Sequence, residues 1–112
     1  MSPVLLRALA SGFLLGNGVL HLAVAFFLAP AQLKAPLAVF GVVYFLLGVW
    51  TRLGGRTAML CAVLVTALGL GLGGANYIQS GGGSWTMPVM FVIDVAVLFT
   101  AGGWLLKNRQ AG

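Results

Sequence analysis

Acid is almost missing from this chain: Asp94 is its one acidic residue, set against six Lys and Arg, in 112 residues. Charge of either sign is scarce at 6% of residues, roughly a quarter of what soluble domains carry, while 61% are apolar. So few charges cannot cover the surface of a water-soluble fold. Histidine and cysteine occur once each, as His21 and Cys61. A lone cysteine excludes an intramolecular disulfide and any Cys-rich metal site. In the apolar run from Met59 to Val65, with no base or charge beside it, Cys61 reads as a small buried hydrophobe. No catalytic triad is recognisable, no His/Cys/Asp/Glu set has metal-ligand spacing, and no Gly-rich loop follows a strand as a phosphate site requires. No catalytic residues and no metal are therefore assigned, and the protein is not expected to be an enzyme.

A net charge of +5 would suggest nucleic acid in a soluble protein. Here the basic residues stand at the ends of apolar runs, where membrane anchors belong, and no basic block or aromatic-plus-basic loop occurs. Nucleic-acid binding is excluded on that ground.

What is abundant is long apolar sequence. Crossing a bilayer as a helix takes about 20 apolar residues, because each adds only about 1.5 Å. Four segments meet or approach that length, at about 8–28, 37–53, 57–74 and 88–106. The expected fold is all-α: one domain over 1–112, a polytopic membrane protein forming an antiparallel four-helix bundle. Pro30 and Pro36 are expected to bracket the first turn, Gly54-Gly55 the second, and Gly81-Gly82-Gly83-Ser84 the third, with Pro88 in the first turn of the last helix. Ala29-Pro30-Ala31 imitates a signal-peptide cleavage site. The run from Ala8 to Leu28 exceeds the usual h-region, though, and the rest is itself membranous, so a retained first helix is expected.

Four crossings place Arg7, Arg52, Arg56, Lys107 and Arg109 on one side and only Lys34 on the other. That bias of five to one predicts an N-in, C-in orientation. Trp50 and Trp104 would then mark the inner interface, and Tyr77 and Trp85 the outer one. Two Gly-x-x-x-Gly spacings, Gly12/Gly16 and Gly69/Gly73, are expected to serve packing within the bundle before dimerisation.

Two ionisable side chains lie well inside apolar runs, His21 and Asp94. Counted from the helix ends, both sit roughly 10 Å below the outer boundary. Tyr44 reaches the same level, Asn17 shares the face of His21 one turn deeper, and Thr66 comes from the third helix somewhat deeper still. A buried Asp costs about 2.5–3.5 kcal/mol on insertion scales, so it should turn inward and find a partner. The expectation is that His21 donates a ring N–H to Asp94, with Tyr44 and Asn17 completing the bonding. The cluster serves either ligand binding or register of the bundle. A haem would need His21 and a second ligand such as Met90, but Met87 and Met90 read as core, so no haem is expected.

The first helix, with Leu5-Leu6-Arg7, Gly12-Phe13-Leu14-Leu15 and Gly18-Val19-Leu20-His21-Leu22, resembles the opening of DoxX-like membrane proteins. Phe45-Leu46-Leu47-Gly48-Val49-Trp50-Thr51-Arg52 is similar to the end of that family's second helix. The resemblance covers about half the chain and transfers no catalytic residue; His21 stands where the family often has Lys. It implies a four-helix bundle in a bacterial inner (cytoplasmic) membrane and association with redox complexes. Three functions follow as expectations. The first is a small accessory or interaction subunit of a larger membrane complex, its partners being lipids and another membrane protein or a second copy. The second is a quinone- or lipid-binding, or proton-relaying, redox protein built on His21 and Asp94. The third is a small proton-coupled transporter. Small multidrug resistance proteins share the length and helix number, but they carry a Glu in the first helix that this chain lacks.

Overall fold

A computed structural model describes residues 2–79, 81 and 85–107. The described residues form four α-helices: α1 (Pro3–Phe27), α2 (Ala31–Leu53), α3 (Arg56–Gln79) and α4 (Thr86–Lys107). Each is long and apolar enough to cross a membrane. Their lengths of 22 to 25 residues correspond to about 33–38 Å of helix, against a hydrocarbon core of about 30 Å.

The ends have local causes. Ser2 caps α1 by accepting from Leu5 N–H at 3.2 Å, and Pro3 follows where its missing N–H costs nothing. Leu28 closes α1 with its N–H on the Val24 carbonyl at 3.0 Å. Gly54-Gly55 forms the turn between α2 and α3, as expected from the sequence. Gly81 has φ of 83°, a left-handed conformation that glycine adopts without strain, and its N–H bonds the Ile78 carbonyl. The remainder of the expected third turn, Gly82-Gly83-Ser84, lies outside the described residues, as does Arg109.

Three boundaries differ from expectation, the first being the start of α1 at Pro3 and not at about residue 8. Pro36 lies inside α2, which begins at Ala31 after an N-cap at Pro30. Only one turn and a half precede Pro36, so a single helical bond, the one to the Gln32 carbonyl, is forgone. α3 runs on past Gly74 to Gln79. Glycine is a weak helix breaker where no water competes for the backbone, and the helix carries Asn76 and Tyr77 with it.

Neighbouring helices run antiparallel around a ring. Gly18 and Leu15 of α1 meet Gly41 and Gly48 of α2, so contacts step backwards along one helix as they advance along the other. α1 and α4 behave likewise, Leu6 facing Gly103 and Asn17 facing Asp94. The backbone of α1 comes close to α2 and α4, and that of α3 to the same two, whereas α1 and α3 stand diagonally across the core. The α2–α3 pair is the loosest.

At one end the core comprises Leu6, Ala10, Met59, Ala101 and Trp104. Arg7 seals it, donating to the Gly54 carbonyl with its guanidinium 5.1 Å from the centre of the Trp104 ring. Trp104 is thus buried beneath Arg7 near the end of α4. Tyr77 packs edge-on against Phe91 at 5.8 Å. Leu14, Tyr44, Leu47, Ala62 and Val97 fill the middle, with half-buried Cys61 against them.

Polarity is inverted relative to a water-soluble bundle. Ser11, Asn17, His21, Thr51, Thr66 and Asp94 are buried, while Leu64, Val92 and Phe99 are two-thirds or more exposed. A surface richer in large apolar side chains than the interior is stable against lipid and not against water.

The glycines divide sharply. A Cβ on Gly18 would lie 2.7 Å from the Gly41 carbonyl oxygen and the Phe45 nitrogen, so α1 and α2 approach backbone to backbone there. Beside this crossing, Ser11 Oγ donates to the Gly48 carbonyl at 2.7 Å. Gly12 and Gly16, expected inside the bundle, instead have open space where a Cβ would stand. The α1 face that packs is the one bearing Leu14, Asn17, Gly18 and His21, which rotates Gly12 and Gly16 outward.

Candidate functional site

Asn17 and His21 share a face of α1 because four residues make about one turn. That face meets Tyr44 of α2 and Asp94 of α4, and all four residues are buried. The partner of Asp94 is Asn17, not the expected His21: Asn17 Nδ2 donates to Asp94 Oδ1 at 2.6 Å. The register that sets Leu6 against Gly103 puts Asn17 level with Asp94 and carries His21 a turn nearer the far end. Counting inward from assumed helix ends missed this by one turn.

His21 turns back on its own helix, its Nδ1 2.8 Å from the Asn17 carbonyl oxygen. A carbonyl only accepts, so Nδ1 carries the proton there. In the neutral ring Nε2 is then an acceptor. The His21 ring meets Tyr44 edge-on, centroids 5.0 Å apart. The Tyr44 hydroxyl faces Asp94 without reaching hydrogen-bonding geometry. It projects instead onto Gly69 of α3, where a Cβ would collide with it. Thr66, one turn before Gly69, is fully buried with its hydroxyl unpartnered, and so is Asn17 Oδ1.

Between α2, α3 and α4 this polar layer is the floor of a cavity of about 230 Å³. His21, Tyr44 and Asp94 reach it from below, and Phe40, Leu72 and Phe91 form its walls. Gly69 and Gly73 leave it room, since side chains there would run into Tyr44 and Phe91. It adjoins a wider recess of about 460 Å³ with which it shares Leu33, Leu37, Asn76 and Met87. The recess is bordered by Pro30, Gln32 and Trp85, at the end where the α1–α2 turn lies. Thr66 does not line either space.

No known family, curated protein or solved structure matches this chain.

What the site can do therefore follows from its own chemistry. It offers an apolar, aromatic slot closed at its inner end by hydrogen-bonding groups, of which the Tyr44 hydroxyl has no partner, and open at its outer end. Among the described residues no group of three metal-ligating side chains occurs. Sequence reasoning found the floor residues but not the slot. Asn76 lies beyond the end of α3 expected at Gly74, and the Gly69/Gly73 spacing reads as a helix-packing motif. The available signal was Tyr44: a long phenol aimed at a glycine-bearing helix leaves space above its ring.

Proposed function

We propose that the protein is a multi-pass membrane protein that binds an amphipathic small molecule, its apolar body between Phe40, Leu72 and Phe91 and its polar head on His21, Tyr44 and Asp94. The observation that carries this reading is the cavity itself: apolar walls end on the buried polar floor of His21, Tyr44 and Asp94, where the Tyr44 hydroxyl has no partner. Apolar walls with a few convergent polar groups are the usual anatomy of a ligand site. The looseness of the α2–α3 pair supports access from the lipid as well as from the end. In the orientation favoured by the basic residues, both termini are cytoplasmic and the recess opens on the outer side.

The test is solvent extraction and mass spectrometry of protein purified in lipid nanodiscs. A stoichiometric small molecule is expected, and it should be lost in Leu37→Trp, which blocks the junction of the two spaces. A folded protein with no extractable ligand, and no saturable uptake of a hydrophobic probe that this variant abolishes, would overturn the reading.

A second reading makes the bundle an accessory subunit of a larger membrane complex, as the resemblance to DoxX-like proteins implies. It is supported by Gly12 and Gly16, two small residues on an outward face with no neighbour in the chain. Close helix approach in membranes uses such faces.

A further inference from the structure

Hydrogen-bond accounting on the cavity floor narrows the ligand class. Asp94 uses one oxygen to accept from Asn17, and the Tyr44 hydroxyl faces its carboxylate. The Asn17 amide, by giving its nitrogen to Asp94, leaves Oδ1 unpartnered. His21, by giving its Nδ1 proton to the Asn17 carbonyl, presents Nε2 as an acceptor. The two floor groups that line the cavity as acceptors are thus Asp94 and His21 Nε2, and the Tyr44 hydroxyl is the proton donor beside them. A quinone, whose head consists of carbonyl acceptors, is poorly matched to such a floor. A head that brings N–H donors is well matched.

Charge points the same way. Asp94 is the one acid of a chain with net charge +5, and among the described residues no basic side chain pairs with it. Lys34, the one basic residue described at the open end, lines neither space; its Nζ donates to the Ala25 carbonyl at 2.9 Å. A buried carboxylate without a countercharge is costly, and a bound cation supplies one. The rings of Tyr44, Phe40 and Phe91 border the same space, and aromatic faces attract cations.

We infer that the ligand is an amphipathic primary or secondary amine, bound as its ammonium ion with the N–H groups on Asp94 and His21 Nε2 and the hydrocarbon part along Phe40 and Phe91. This rests on the reading of the cavity as a binding site, and a matched pair of probes separates the two. 4-Phenylbutylamine and 4-phenylbutan-1-ol have nearly the same size, but only the first is a cation at neutral pH. Both are titrated by calorimetry into wild-type protein, Asp94→Asn and Leu37→Trp in nanodiscs of zwitterionic lipid. The expected result is that wild-type protein binds the amine at least about tenfold more tightly than the alcohol, a preference on the order of that from one desolvated charge contact. Asp94→Asn should bring the two probes to within about threefold of each other, and Leu37→Trp should abolish both signals. Equal binding of the two probes by wild-type protein overturns the amine inference while leaving a binding site in place. Amine binding that persists unchanged in Leu37→Trp reports adsorption to the bilayer and overturns both. Should Asp94→Asn fail to fold, the wild-type preference still decides.

Discussion

Asn17 sits at the junction of two demands, since its amide nitrogen serves Asp94 while its backbone carbonyl holds His21. Asn17→Leu removes a buried hydrogen bond on the carboxylate, and bonds to charged groups are worth about 1.5–3 kcal/mol. A loss of about 2–3 kcal/mol is expected in equilibrium unfolding by detergent titration. Asp94→Asn keeps a partner for Asn17 and should cost about 1 kcal/mol. The two together should be less than additive because they share one bond. Additive losses would mean that Asn17 stabilises the bundle by another route. Tyr44 and Gly69 form a second coupled pair, for the phenol hydroxyl occupies the place of a Cβ on α3. Gly69→Ala should destabilise by about 1–3 kcal/mol through overpacking. In a Tyr44→Phe background, where the obstructing oxygen is gone, the same change should cost less than about 1 kcal/mol. Tyr44→Phe alone should be close to neutral, because its hydroxyl has no hydrogen-bond partner to lose. An undiminished cost of Gly69→Ala in that background would place the strain elsewhere.

At the scale of the helices, α1 has two glycine faces with opposite physics. Gly18 meets backbone atoms of α2 that have no freedom to move aside, whereas Gly12 and Gly16 meet nothing. Gly18→Ala should therefore destabilise by about 2–3 kcal/mol, and Gly12→Ala should be neutral or stabilising by up to about 1 kcal/mol. If the outward face docks on another helix, Gly12→Leu with Gly16→Leu should leave the unfolding midpoint within experimental error while dissociating any partner retained in mild detergent. Unchanged co-purification would remove the support for the accessory-subunit reading. The sequence made the helices themselves plain, because runs of about 20 apolar residues have few other uses. It misplaced their ends at Pro36 and Gly74, where residues that break helices in water are carried through when lipid leaves the backbone no alternative partner. The floor of the site was legible for a related reason: polar residues in apolar runs are few and must turn inward. Which polar group meets which was not legible, since it depends on the register between α1 and α4, and a one-turn slip exchanges His21 for Asn17. Nor was the cavity, which arises from residues that are small or displaced and leave no mark of their own in a hydropathy pattern.

For the whole molecule, charge supplies the physics of direction. Arg7, Arg52, Arg56, Lys107 and Arg109 lie at the end sealed by Arg7 and Trp104 or in the tail that follows it in sequence, and Lys34 stands near the other end. Translocating several arginines is unfavourable, so the sealed end should remain cytoplasmic and the recess should face outward. In a Cys61→Ser background, Gln32→Cys should react with a membrane-impermeant maleimide added to intact cells, and Gly55→Cys only after permeabilisation. The reverse pattern would put the recess on the cytoplasmic side and change the pool from which a ligand is drawn. The same physics predicts how to turn the protein over. Replacing Arg52 and Arg56 with Gln while placing Lys at Ala29, Gln32 and Ala35 changes the bias from five against one to three against four. A population labelled at Gly55→Cys from outside should then appear, since the rule counts basic residues in short loops near helix ends. Persistence of a single orientation would mean that insertion of α1, whose own Arg7 is untouched, fixes direction before the later loops are made.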